Sequence, residues 1–106
     1  LLQKIKNEMS CIQGIDVTSS WQSNFEIMPK GINKGKSLME IAAYYKTDPA
    51  NTIAFGDEMN DYSMIEAAGV GVAMGNAVGG IKEIADFVTL SNNEDGIASY
   101  IEEFIF

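Results

Sequence analysis

The chain has no histidine and a single cysteine, Cys11. Disulfide frameworks, zinc sites and histidine-based catalytic triads are therefore excluded. Basic side chains are scarce as well, seven against fifteen acidic ones, for a net charge of −8. A field of that sign repels nucleic acid and anionic membrane, so neither is an expected partner. An anionic small substrate would need a local correction, either a bound cation or a well-placed lysine. No apolar run approaches the roughly 18 residues of a membrane span, and nothing resembles a signal peptide. A cytoplasmic setting is expected.

What is present is globular. Hydrophobic residues make up 46% of 106 positions, enough for one small domain that would bury roughly two thirds of its unfolded surface. The first residue is Leu1 rather than a start methionine, which leads us to expect a piece of something longer.

Leu1, Leu2, Ile5, Met9 and Ile12 recur at spacings of three and four, predicting an amphipathic helix over 1–13 that Gly14 ends. Two short β-prone runs, 15–19 and 24–28, flank the polar stretch 20–23 and predict a hairpin or two edge strands. Pro29, Gly31 and Asn33 then crowd into a linker. From Lys34 the stripe Leu38, Ile41, Ala42 and Tyr45 predicts a helix that stops before Asp48-Pro49.

Beyond the proline, strands are expected at 52–55, 70–74 and 87–90. Helices are expected at 61–68, 81–85 and 97–104, with Gly69 just past a helix end and a polar loop at 91–96. Alternating helices and apolar strands predict an α/β domain with a parallel sheet flanked by helices. Six methionines, Trp21 and the tyrosines read as core or subunit contact.

Chemistry concentrates where the first of those parallel strands ends. Ile53-Ala54-Phe55 stops at Gly56, and Asp57, Asn60 and Asp61 follow, at the sheet edge where open α/β folds bind ligands. Asp57 and Asp61 stand four apart, so both carboxylates can converge on one point with the Asn60 amide beside them. Hard oxygen donors suit Mg²⁺, which takes one or two protein carboxylates and fills its other positions with water and phosphate. A purely structural reading competes: Asn60 as an N-cap, Asp61 as a first-turn acid, Asp57 as a turn former. The alternating ligands, glycine and distal glutamate of an EF-hand are missing.

Lys34 opens a helix, where the dipole disfavours a cation, with Lys30 and Lys36 nearby. Broken local rules tend to mark functional sites, although a solvated basic patch explains the same residues. The glycines of Gly69-Val70-Gly71-Val72-Ala73-Met74-Gly75 flank and enter a strand rather than leading from one into a helix. That argues against a dinucleotide loop.

In the order Lys34-Gly35, Gly56-Asp57-Glu58-Met59-Asn60-Asp61, Gly71-Val72-Ala73-Met74-Gly75-Asn76-Ala77 and Asn93-Glu94-Asp95-Gly96, the chain resembles Cof-type phosphatases of the haloacid dehalogenase superfamily. The likeness runs from about Glu26 to Phe104 and implies part of a Rossmann-like core, residues 30–106, after the end of an inserted α+β cap domain, residues 1–29. It implies that Lys34 steadies a nucleophilic aspartate and the phosphate, that Asp57 ligates Mg²⁺, that Asn60 touches the phosphate and that Asp61 completes or supports the metal shell. Lys34 and Asp57 are thus the implied catalytic residues, and a small phosphorylated metabolite the implied substrate.

One departure is large. Such phosphatases open with an Asp-x-Asp strand whose first aspartate attacks phosphorus, and no Asp-x-Asp occurs in these 106 residues. The implied chemistry, hydrolysis of phosphomonoesters through an aspartyl-phosphate, would belong to a longer parent, with this chain alone inactive. The strand at 52–55 would then expose a bare edge, inviting self-association or pairing with the absent half. A noncatalytic module that binds metal or phosphate, or serves as a structural partner, is the alternative.

Overall fold

The computed structural model describes residues 2–18 and 24–106; Trp21 and the expected polar stretch 20–23 lie outside the described residues. Helix α1 (Leu2–Met9) covers the start of the amphipathic run. The expected continuation to residue 13 gives way to tighter turns, with Cys11 N donating to Glu8 O and Ile12 N to Met9 O. Ser10 and Cys11 fold their own side chains back onto the carbonyls of Lys6 and Asn7, the local competition with helix that short polar residues offer. Gly14, at φ +84, makes the corner.

Strands β1 (Ile15–Thr18) and β2 (Glu26–Pro29) pair antiparallel, Ile15 opposite Pro29 and Thr18 opposite Glu26. They form a two-stranded sheet of their own. Asp16 accepts a hydrogen bond from the Gly31 amide at 2.9 Å, fastening the turn that leaves β2. Asn33, expected in a linker, is the N-cap of α2 (Lys34–Tyr44), and its side chain accepts from Lys36 N. At the other end Lys46 takes φ +55 while its amide reaches Ala43 O and that of Thr47 reaches Ala42 O. This is a Schellman turn without glycine.

The second sheet has strand order β3-β4-β5, all parallel: β3 (Ile53–Gly56), β4 (Val70–Ala73) and β5 (Phe87–Val88). Between them run α3 (Tyr62–Ala67) and α4 (Gly79–Ile84), with α5 (Gly96–Phe104) closing the chain. A mixed α/β domain with a parallel sheet flanked by helices is what the alternation of apolar runs predicts. Helix α3 is shorter than expected because Met59–Asp61 forms a separate 3-10 turn ahead of it. Strand β3 is the outer strand, with no partner on its other edge among the described residues.

Gly69 is not the left-handed helix cap expected of it. Helix α3 ends at Ala68 in extended backbone, and Gly69 is absent from the positive-φ residues. A Cβ there would strike the backbone of Ala50, so the glycine is required by close approach of the turn at Pro49–Asn51.

The two faces of this sheet differ in side-chain size. Ala54, Gly56, Gly71 and Ala73 point toward α3 and α4, where Ala54, Ala73, Ile65, Ala77 and Ile81 form the buried core. Phe55, Val72 and Phe87 occupy alternate positions in register and point the other way. There Tyr100 of α5 meets the rings of Phe55 and Phe87 at centroid distances of 5.5 and 6.0 Å. Strand β5, expected over four residues, is two residues long. Immediately before it, Asp86 donates its amide to Gly71 O and accepts the Gly71 amide on Oδ2, each at 2.8 Å.

Candidate functional site

The site lies at the carboxyl end of β3, and small residues bring its parts together. A Cβ on Gly35 would lie 2.5 Å from Ser63 O, so only glycine lets the start of α2 rest against the start of α3. The Ser63 hydroxyl accepts the Gly35 amide at 3.0 Å, joining the two helix starts. Lys34, the residue before, therefore reaches Asp61 across a sequence separation of 27, Nζ to Oδ1 at 2.5 Å. Gly56 performs the same service one turn away, because a Cβ on it would sit 2.6 Å from Asp61 Cβ.

Asp61 is buried and fully engaged: Oδ1 takes Lys34, while Oδ2 accepts the amides of Asp57 at 2.9 Å and Glu58 at 3.3 Å. Burial by itself would raise its carboxyl pKa. The Lys34 hydrogen bond, the two amides and the lysine charge together outweigh that and hold it below the ordinary value. Asp61 thus stays ionised and fixes both the lysine and the turn that carries Asp57. Of the purely structural alternatives, the N-cap role at Asn60 does not occur, since Asn60 is the middle residue of the 3-10 turn.

Asp57 presents its carboxylate into a pocket of about 340 Å³ whose walls include Lys34, Asp61, Met74, Asn92 and Ile97. Its Oδ2 receives the side-chain amide of Asn76 at 3.3 Å. Its carbonyl accepts Val78 N at 2.9 Å, so the β4–α4 turn holds Asp57 by main chain as well. Of the four residues singled out from sequence, Lys34, Asp57 and Asp61 converge on this pocket, and Asn60 is not part of its lining. Lys30 lies apart on the turn after β2, its amide bonded to Gly14 O.

Sequence reasoning missed Ser63 and Asn76. Ser63 gives no local signal, since its partner is 28 residues away. Asn76 stands inside the motif Gly75-Asn76-Ala77, where nothing local points to Asp57, 19 residues away.

The arrangement is a lysine and two carboxylates at the C-terminal edge of a parallel sheet, and the comparisons bear on what uses it. A model of the haloacid dehalogenase-like hydrolases matches residues 1–101. The chain belongs to that family. The superfamily implied by the motifs is therefore the one found. Among curated relatives, this haloacid dehalogenase-like hydrolase is 47% identical over 79 residues to the 5-amino-6-(5-phospho-D-ribitylamino)uracil phosphatase YitU of Bacillus subtilis. That alignment covers 74% of the chain and 29% of the relative.

Among solved structures, a haloacid dehalogenase-like hydrolase from B. subtilis superposes with a TM-score of 0.90 at 39% identity, covering 99% of this chain and 36% of that one. The subclass IIB sugar phosphatase BT4131 superposes with a TM-score of 0.91 at 31% identity, covering 98% and 40% respectively. The chain thus spans about a third of the length of the curated relatives it matches. Among the described residues no helix is long and apolar enough to cross a membrane.

Proposed function

We propose that this chain is the metal- and phosphate-binding part of a Mg²⁺-dependent phosphatase that hydrolyses small phosphomonoesters through an aspartyl-phosphate. One observation carries the reading: Lys34, 27 residues from Asp61, lines one pocket with Asp57 and Asp61 at the end of β3. YitU and BT4131 are both named as phosphatases, which supports a phosphate ester as the substrate class here. Residues 1–29, with their separate two-stranded sheet, are then the end of a cap domain, and residues 30–106 belong to the core.

The donors fit a hard dication. Asp57 Oδ1 carries no hydrogen bond among the described residues, and the pocket's other polar side chains are Asp61, Asn92 and Lys34, the last bonded to Asp61. No three His, Cys, Asp or Glu side chains gather into a cage among those residues. That suits an ion held by one or two carboxylates with water and substrate completing its shell. Asp57 is the direct ligand in this reading. Asp61, with both oxygens taken, supports the shell by fixing the Asp57 turn. Bound there, Mg²⁺ would neutralise phosphate charge and polarise the ester phosphorus.

Lys34 supplies the fixed positive charge for the phosphate and for an attacking carboxylate, and Asn60 offers an amide from the adjoining turn. The attacking aspartate itself would enter along the open edge of β3. An apolar groove of about 450 Å³ lies between α2 and β3, lined by Lys34, Leu38, Ile41, Tyr45, Ile53 and Met64.

A second reading keeps the binding and drops the turnover. The absence of Asp-x-Asp from all 106 residues favours it for this chain in isolation. Both are tested with a chromogenic phosphomonoester, assayed on the natural chain containing these residues and on the 106-residue piece. Asp57→Asn and Lys34→Ala in the former should each lower the Mg²⁺-dependent rate by about 10²–10³-fold, and Lys30→Ala far less. An unchanged rate in Asp57→Asn overturns the assignment, and robust turnover by the piece alone overturns the claim that its nucleophile lies elsewhere.

A further inference from the structure

We propose that Asn76 is a positioning residue for Asp57, locked in its working orientation by the backbone of the loop that leads into α5; this deepens the metal-site reading above and rests on it.

The two ends of an asparagine amide have nearly the same shape, so its orientation must be argued from its partners. Here the partners decide it. Asn76 Oδ1 accepts the main-chain amide of Asn92 at 2.9 Å, and an N–H can be satisfied only by the oxygen end. The NH₂ end must then face Asp57, and it lies 3.3 Å from Oδ2. That donor occupies one carboxylate oxygen of Asp57, a residue of the pocket lining, and leaves Oδ1 without a hydrogen bond among the described residues.

The surrounding backbone is built to hold Asn76 in place. Gly75 donates to Leu90 O at 3.1 Å, and a Cβ on Gly75 would lie 2.8 Å from Ser91 N, so only glycine permits the close approach that brings Asn76 to Asn92. On the other side Val78 N bonds Asp57 O, and Ala77 N bonds Met74 O, both at 2.9 Å. Asn76 therefore sits at the apex of a turn pinned on both flanks, with its side chain bridging two loops. Partners of this kind, one step removed from an ion, change its affinity by about 10–100-fold when removed.

The geometry supplies an unusually selective test, because the lock is a main-chain N–H. Asn92 is the first residue of a 3-10 turn, and Ser91 before it has φ −69 and ψ 167, a backbone that accepts proline at the next position. Asn92→Pro removes the N–H, whereas Asn92→Ala keeps it and removes only the side chain.

The measurement is the dissociation constant for Mn²⁺, titrated by the paramagnetic signal of the free ion, on the natural chain containing these residues. Asn76→Ala and Asn92→Pro should each weaken Mn²⁺ about tenfold, and Asn92→Ala, which keeps the N–H, should weaken it clearly less than Asn92→Pro. A merely structural role would lower melting temperatures without separating the two Asn92 variants in affinity. Should Asn76→Ala fail to fold, the Asn92 pair decides. Wild-type affinity in both Asn76→Ala and Asn92→Pro overturns the positioning role alone. A wild-type chain indifferent to Mn²⁺ overturns the metal-site reading and this inference with it.

Discussion

The two faces of the β3-β4-β5 sheet solve packing in opposite ways. Toward α3 the strands offer Ala54, Gly56, Gly71 and Ala73, and backbones come so close that an added Cβ on Gly71 would meet Ile65 O at 2.6 Å. Toward α5 they offer Phe55, Val72 and Phe87, and the space is filled by Tyr100 and Phe104 rings 4.7 Å apart. Small residues give geometric precision, because nothing flexible lies between the backbone and the group it places. Large aromatic rings give area, worth about 25 cal/mol per Å² of apolar surface removed from water, with latitude in how it is filled. The charged pocket residues are placed by the first face.

If that contrast is right, the largest effect should come from the smallest change on the α3 side. Gly56→Ala puts a methyl 2.6 Å from Asp61 Cβ and 3.0 Å from its Oδ2, and overpacking of this kind should cost about 3 kcal/mol. Urea denaturation would measure it; a loss under about 1 kcal/mol would show that the site tolerates displacement.

Next comes Asp61→Asn, which weakens acceptors for two amides and the lysine and should cost about 2 kcal/mol near neutral pH. The sign of its pH dependence follows from a carboxyl held below its ordinary value of 3.8. The contribution is complete above that value and drains away as pH falls through it toward the lower folded value. Wild type should therefore lose part of its advantage over Asp61→Asn below about pH 4; parallel acid limbs would contradict the linkage.

The smallest effect is expected on the aromatic face. Phe104→Ala removes a ring that is 56% exposed and should cost about 1 kcal/mol, mostly ring contact with Tyr100 and Phe87. A loss as large as that of Gly56→Ala would erase the distinction between the faces.

Much of this was legible in the chain itself, for stated reasons. Apolar periodicity and apolar runs located the five α-helices and five strands of the described residues, with boundaries off by a few residues, but not the short 3-10 turns at 49–51, 59–61 and 92–94. The pocket residues Lys34, Asp57 and Asp61 stood out because charge at a helix start and clustered acids at a strand end are locally unfavourable. What escaped depends on contacts distant in sequence. Gly69 reads as a helix cap until Ala50 is seen against it, and Ser63 and Asn76 acquire partners 28 and 19 residues away. The turn at Lys46 hid for another reason: its left-handed residue is a lysine, where glycine or asparagine would have advertised it.

The double hydrogen bond between Asp86 and Gly71 acts as a registration mark. A strand of two residues has too short a ladder to choose its own alignment, and a slip of one position would send Phe87 to the opposite face. There it would meet Gly71 and Ala73, where the backbone of α3 has already taken the room. By tying both the amide and the carbonyl of Gly71 to the residue just before β5, the chain makes such a slip lose two bonds at once. The aromatic face therefore owes part of its alignment, beside the main-chain bonds of Asp86, Thr89 and Leu90, to a carboxylate that contributes nothing to its apolar area.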